Sequence, residues 1–335
     1  MFYLEGIGAF VPDTTVSVEE VGGLTGLTAS QVHFYSRFLG LDRIATAPGV
    51  SLAEMLSAAG EPALRGTDRG DVRFIIHAHT GQHAAPPSWN VLEQVRCSLR
   101  LPNATVLGVS HQNCVIGLYA FQIARYLLHD SEPHQKALVV IGEKVVARSS
   151  YLIPDTTIMG EAAAACLIGR SPRGDQIVGQ ATRVLGRFYQ GIGGSADLKA
   201  EYKSIYLSTL TQVMRQALAR AGVATSDLTA VLPHNVNRMS WKRVARELGV
   251  PVDRIYLDNV ARLGHCFGAD PIINLATARA AGLVGPGDLV LLASAGLGAS
   301  FGATVVRLGG PAAPQAGVAP ACHVAGPPTQ PLPET

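Results

Sequence analysis

The residues best suited to covalent chemistry lie in Val109-Ser110-His111-Gln112-Asn113-Cys114-Val115-Ile116-Gly117. A β-rich run, Ala104-Thr105-Val106-Leu107-Gly108, comes before them, and an apolar helical stretch from Leu118 to Leu128 follows. A cysteine at such a turn sits among backbone N–H groups that lack helical partners, at the positive end of the helix dipole. Both favour a thiolate, which makes Cys114 a candidate nucleophile. A free cysteine is more commonly a small buried hydrophobe, and position alone leaves both readings open.

Other polar residues stand where chemistry is often done. His234 closes a β-rich run in Leu232-Pro233-His234-Asn235-Val236-Asn237, and strand ends in α/β sheets commonly carry ligand sites. Asparagines there also suit local turn hydrogen bonds. His265 and Asp270, in Leu263-Gly264-His265-Cys266-Phe267-Gly268-Ala269-Asp270-Pro271, match a base and its orienting acid. Asp before Pro is equally a helix N-cap signature, and a pairing over five residues needs a turn at Gly268. Ala295-Gly296-Leu297-Gly298-Ala299-Ser300-Phe301-Gly302 has no helix after it, so it is not a dinucleotide motif; its glycines suit close backbone approach and an oxyanion-binding N–H. His77-Ala78-His79 with His83 has metal-like spacing but no further ligand shell, which favours a structural role and no metal site. Arg238, Lys242, Arg243 and Arg246 form a basic helical cluster, ordinarily a solvated face and otherwise a dock for an acidic carrier or phosphates.

The elements that must position these residues alternate between short β-rich runs and amphipathic helices, which predicts an α/β layered fold. The body repeats: Asp71 to His77 resembles Asp227 to His234, each followed by a helical stretch and a second β-rich run, Thr105 to Val109 or Arg254 to Leu257. A polar turn opening an apolar helix comes next, at Cys114 or His265, and then a third run from Lys136 or Asp288. Cys114 precedes Lys136 by 22 residues and His265 precedes Asp288 by 23, so two copies of one unit related by a pseudo-twofold axis are expected. Equivalent turns would then face one another, with Cys114 and His265 in one site.

The 335 residues are 47% hydrophobic and 16% charged, enough for a deep core. A net charge of +2 argues against a nucleic-acid footprint. Five scattered cysteines (97, 114, 166, 266 and 322), no signal-peptide pattern and no long apolar run predict a reduced, cytoplasmic protein that does not span a membrane. Residues 311–335 hold seven of the twenty prolines and read as a disordered tail, with Cys322 and His323 as exposed residues rather than metal ligands. The expected divisions are residues 1–172, 173–308 and the tail 309–335.

Taken together, Gly6-Ile7-Gly8-Ala9-Phe10-Val11-Pro12, the Cys114 turn, Met159-Gly160-Glu161-Ala162-Ala163-Ala164, Pro233-His234-Asn235-Val236-Asn237 and the last glycine loop resemble the thiolase-fold condensing enzymes of the β-ketoacyl-acyl carrier protein synthase III family, over roughly residues 1–308. The resemblance implies two thiolase-like halves in α-β-α-β-α layers, a homodimer, Cys114 as acyl-accepting nucleophile, His234 as its first partner, and the backbone N–H groups of Cys114 and Gly298 as oxyanion donors. Where decarboxylating members carry Gly-Asn, this chain has Gly264-His265, with Asp270 five residues on. Asparagine is a neutral donor, whereas histidine can take a proton. The pattern is similar to the family's acyltransferase branch in antibiotic biosynthesis, of the cervimycin malonyl transferase and daunorubicin starter-unit enzyme type.

The expected activity is therefore acyl transfer through acyl-Cys114 to a hydroxyl, amine or carrier thiol, in polyketide or related specialised metabolism. Decarboxylative carbon–carbon condensation is the alternative, and a non-catalytic partner subunit of a condensing heterodimer is the third. No cofactor is expected to be bound. The donor is an acyl-coenzyme A or acyl-carrier thioester, for which Arg37, Arg238, Lys242 and Arg243 are the candidate phosphate or carrier contacts. The adenine-stacking tryptophan common in the family is missing from Ser30 to Arg37.

Overall fold

The computed structural model describes residues 1–81, 84–85, 89–147 and 150–310, so His83, Cys322 and His323 lie outside it. The first half of the chain runs β1 (Tyr3–Phe10), β2 (Thr15–Ser17), α1 (Val18–Thr25), α2 (Ala29–His33), β3 (Arg43–Ala45), α3 (Leu52–Ala63), β4 (Val72–Ala78), α4 (Val91–Ser98), β5 (Thr105–Val109), α5 (Ile116–Leu127), β6 (Lys136–Gly142), β7 (Leu152–Ile153), β8 (Thr157–Ile158) and β9 (Ala163–Gly169). The second half runs β10 (Asp175–Val184), α6 (Ala196–Ala221), β11 (Ala230–Pro233), α7 (Arg238–Leu248), α8 (Asp258–Leu263), α9 (Asp270–Ala280), β12 (Leu289–Gly296) and β13 (Ser300–Arg307).

Nine strands join in the order β5-β4-β6-β9-β1-β10-β13-β12-β11. The seam is the antiparallel pair β1–β10, where Tyr3 faces Gln176 and Leu4 faces Asp175. Outward from it, both halves repeat one pattern. β9 or β13 is antiparallel to the seam strand, β6 or β12 antiparallel to that, and β4 or β11 parallel to the next. This is the expected pseudo-twofold.

The halves differ at the outer edge. β5 pairs with β4 over five residues, Phe74–Thr105 to Ala78–Val109. The run Arg254 to Leu257, expected as its counterpart, is not a strand. It makes one parallel bridge, Val231 to Ile255, because a 3₁₀ turn over Val252–Arg254 precedes it and α8 begins at Asp258.

Alternation of side chains along the pleat builds the layers. In β6, Ala137, Val139 and Ile141 enter a central cluster, while Leu138 and Val140 enter an outer one. In β12, Val290 and Leu292 point to the same centre, and Leu291 and Ala293 to the opposite outer cluster. The central cluster takes Ile116, Leu118, Phe121 and Ala124 of α5 with Ile272, Ile273, Leu275 and Ala278 of α9, so these helices are sandwiched. Outside, α3 seats Leu52, Met55, Leu56 and Ala59 on the first half, and α6 seats Leu210, Val213, Met214, Ala217 and Leu218 on the second. The result is the α-β-α-β-α arrangement of the thiolase-like fold. Among the described residues no helix is long and apolar enough to cross a membrane.

Candidate active site

The two sandwiched helices begin at the same place, and the chemistry gathers there. After β5 the chain turns through His111 (φ 72°) and Asn113 (φ 45°), then carries Cys114 on a single 3₁₀ turn, Asn113–Val115, before α5 opens. The β12–β13 hairpin fixes this elbow from the other half. Ser294 Oγ donates to the Cys114 carbonyl at 2.7 Å, and the Asn113 amide donates to the Leu297 carbonyl. A Cβ on Gly296 would lie 2.7 Å from Asn113 Cβ and 3.0 Å from Cys114 N, so only glycine lets the hairpin lie this close.

In the second half, the N–H of His265 donates to the Ile158 carbonyl and its carbonyl accepts from Gly160, each at 2.9 Å. The Met159-Gly160-Glu161 segment thus acts as a rail for the histidine backbone. Glu161 holds that rail by accepting from the N–H groups of Ala47 (2.8 Å) and Val145 (2.9 Å) and by pairing with Lys144 (2.8 Å). A 3₁₀ turn over Phe267–Ala269, with Phe267 at φ 53°, brings Asp270 back to His265. Asp270 is the first residue of α9 and does not cap it; the cap position is Ala269.

The sites meet as the repeat predicts. His265 Nε2 lies 3.1 Å from Cys114 Sγ, and His265 Nδ1 lies 2.5 Å from Asp270 Oδ2. His265 is 1% exposed and Asp270 0%. Burial alone would lower the His265 pKa, but the Cys114 sulfur and the Asp270 carboxylate, with the hydrogen bonds to both, raise it to about 10. Nδ1–H therefore points to the carboxylate and Nε2–H to the sulfur.

His234 stands edge-on to His265, with ring centroids 5.5 Å apart, and to Trp241 at 5.4 Å. Burial, then the charge of His265, holds its pKa well below 6.5, and its Nδ1 has no partner. It is a neutral imidazole. Gly298 (φ 79°) sits at the tip of the hairpin tied to the elbow. Asn237, the last residue of the Pro233-His234-Asn235-Val236-Asn237 motif, caps α7 through Ser240 N–H at 2.7 Å.

The basic residues lie on adjoining elements. The N–H of Arg238 donates to the Leu39 carbonyl at 3.0 Å, which sets α7 beside the segment bearing exposed Arg37. Lys242 and Arg243 are exposed, and none of the four is ion-paired with a described residue. His77 Nε2 lies 3.0 Å from the Gly142 carbonyl and His79 Nδ1 2.6 Å from that of Gly81.

Of three buried asparagines, 259 and 274 escaped the sequence reading and 235 was read only as part of a polar turn. Asn235 donates to Asp270 through both its N–H (2.6 Å) and its side chain (3.0 Å), and Asn274 donates to Asn235 Oδ1 at 2.9 Å. The available signal was Asn274 itself, an amide between Ile273 and Leu275 in an apolar helix, four residues after Asp270.

Comparison with known proteins fits this architecture. Residues 218–308 match the family model of the 3-oxoacyl-[acyl-carrier-protein] synthase III C-terminal region. A β-ketoacyl-[acyl-carrier-protein] synthase III of Streptomyces coelicolor is 27% identical over 320 residues, 90% of this chain and 92% of that one. Among solved structures, the acyltransferase ChlB3 superposes with a TM-score of 0.82 at 20% identity, over 92% of this chain and 98% of that one. The priming β-ketosynthase of the R1128 polyketide pathway gives 0.77 at 20% identity, over 93% and 97%. The C-terminal part is thus similar to the synthase III family model, most of the chain is similar to β-ketoacyl-[acyl-carrier-protein] synthase III proteins, and the fold is that of the acyltransferase and ketosynthase structures.

Proposed function

We propose that this protein is an acyltransferase working through an acyl-Cys114 intermediate. The observation that carries the reading is the Cys114–His265–Asp270 line, which supplies a proton-accepting base where the condensing pattern has an amide. Cys114 Sγ attacks the carbonyl of an acyl thioester, and the backbone N–H groups of Cys114 and Gly298 take the developing oxyanion. The carbon–sulfur bond to the donor breaks, and the leaving thiolate takes the proton from His265 Nε2. His265, now neutral, accepts the proton of an incoming hydroxyl, amine or thiol as that atom bonds to the acyl carbon. The bond to Sγ breaks, and the thiolate is restored beside imidazolium. Asp270 holds Nδ1–H throughout. Only the protein's own side-chain and backbone groups and the donor's thioester are used, so the reading requires no resident cofactor or metal.

Cys114 is 5% exposed, so the acyl group must arrive on a slender arm, as in coenzyme A or a carrier-protein thioester. Arg37, Arg238, Lys242 and Arg243 are the contacts proposed for the donor's phosphate or carrier surface. The outer edge of β5 has no partner strand among the described residues, which supports a homodimer joined there. Likeness in fold to the acyltransferase ChlB3 supports acyl transfer, and likeness to the priming β-ketosynthase of the R1128 polyketide pathway supports a place in a specialised pathway.

The second reading, decarboxylative condensation, is favoured by His234, a neutral donor beside the base, and by the names of the synthase relatives. Intact-protein mass after incubation with acyl-coenzyme A and acyl-carrier thioesters tests both. An acyl-sized increment lost in Cys114→Ala supports the covalent enzyme. Release of carbon dioxide from a malonyl donor supports condensation, and no increment from any donor supports a partner subunit.

A further inference from the structure

The buried amides behind Asp270 are all oriented one way. Asn259 Nδ2 donates to Asn274 Oδ1 at 2.8 Å, Asn274 Nδ2 to Asn235 Oδ1 at 2.9 Å, and Asn235 Nδ2 to Asp270 Oδ1 at 3.0 Å. The three residues come from α8, α9 and the loop after β11, and each is at most 1% exposed.

Each orientation is forced by a second contact, since an amide is assigned from its network. Asn274 Nδ2 also donates to the Pro233 carbonyl at 2.7 Å, where an amide oxygen would be repelled. Asn259 Nδ2 also meets Thr277 Oγ1 at 2.8 Å; that hydroxyl gives its proton to the Ile273 carbonyl and so accepts from Asn259. Flipping Asn235 would set oxygen against Asp270 and nitrogen against nitrogen. The far end is left imperfect, because Asn259 Oδ1 is buried without a partner. Packing alone gives no reason to leave an acceptor unsatisfied there, whereas a chain that must donate toward Asp270 does.

We infer that Asn259, Asn274 and Asn235 form a polarised amide chain that holds Asp270 charged and aimed at His265, and thereby holds the proton on His265 that pairs with Cys114. These are positioning residues, and the inference deepens and rests on the reading of His265 and Asp270 as base and acid. Aligned hydrogen bonds polarise one another, so the carboxylate meets a stronger donor than one isolated amide. The Cys266 N–H at 2.8 Å adds a fixed donor to the same Oδ1. The titratable groups about His265 are Cys114, Asp270 and edge-on His234, with the Cys266 thiol beside it.

The test is the pH dependence of Cys114 alkylation by iodoacetamide, read on its own peptide by mass spectrometry, in the wild type and in Asn235→Ala, Asn274→Ala and Asn259→Ala. In each variant the midpoint is expected to rise, because the sulfur loses part of its hold on the His265 proton. The shift should be about one pH unit for Asn235→Ala, and smaller in turn for Asn274→Ala and Asn259→Ala. A merely structural chain would lower the melting temperature and leave the midpoint alone. Wild-type midpoints in folded Asn235→Ala and Asn274→Ala would overturn the inference. Should Asn235→Ala fail to fold, Asn274→Ala and Asn259→Ala carry the same test, with an unmoved midpoint in both overturning it. Alkylation needs no acyl donor, so failure of acyl loading in the wild type would count against the acyltransferase reading alone.

Discussion

Gly117 and Gly268 touch across the pseudo-twofold axis: a Cβ on Gly117 would lie 2.5 Å from the Gly268 carbonyl oxygen. A Cβ on Gly268 would meet Ile116 Cγ2 at 3.1 Å and Gly117 N at 3.3 Å. The two elbows carrying Cys114 and His265 reach bonding distance because neither glycine holds them apart. Gly117→Ala is expected to cost about 1–3 kcal/mol through overpacking against backbone, even after the helix preference of alanine. Gly268→Ala meets softer neighbours and should cost less. Thermal melts give the order, and acyl loading of Cys114 should fall with it.

His265→Asn restores the amide of the condensing pattern and removes the base. Transfer to hydroxyl or amine acceptors should fall about 10²–10⁴-fold. The folded pKa of His265, about 10, lies above its unfolded value, so its contribution to stability is complete below about 6.5 and is lost as pH rises toward 10. Between those limits the wild type should lose more melting temperature than His265→Asn. Parallel losses in the two proteins would sink the assignment.

Much of this site can be read from the sequence, for a physical reason. Two copies of one unit put equivalent turns near one axis, so the spacing permits Cys114 to meet His265, and the structure brings them to 3.1 Å. The Asp270-Pro271 pair points to a cap only while the chain is read locally; the turn at Phe267 redirects the carboxylate. Arg254 to Leu257 has strand-like residues, but a strand needs a partner along its length, and α8 takes the chain away after one bridge. Asn274 alone stands out in the sequence, and the rest of the asparagine chain does not, because its links join residues up to 39 apart, on three elements.

His77 predicts acid sensitivity away from the chemistry. Burial, with the neighbouring His79 charge, lowers its pKa to about 4 despite its bond to the Gly142 carbonyl. A folded pKa below the unfolded one gives stability that is present above about 6.5 and lost as pH falls to 4, roughly 3 kcal/mol in all. His77→Gln should flatten that part of the stability curve in chemical denaturation. An unchanged curve would remove His77 from the cause.

The basic face offers a test of the donor. Arg238→Glu with Lys242→Glu should raise KM for a carrier-protein thioester about tenfold at low salt, with the difference shrinking as ionic strength rises. A short pantetheine thioester should be used equally well by both proteins. If KM for the carrier is unchanged, docking lies elsewhere.

Cys114 and His265 lie 151 residues apart in the chain, and β1 is held between β9 and β10. A polypeptide emerging from the ribosome therefore exposes its thiol long before the base is made, and its first strand waits for the second half to arrive. Contacts this distant close late in folding. On the proposed mechanism, a truncated or half-folded copy carries the sulfur without its base, and acyl loading would wait for both halves. If Cys114 is the acyl acceptor proposed, its loading would report that the two halves have met.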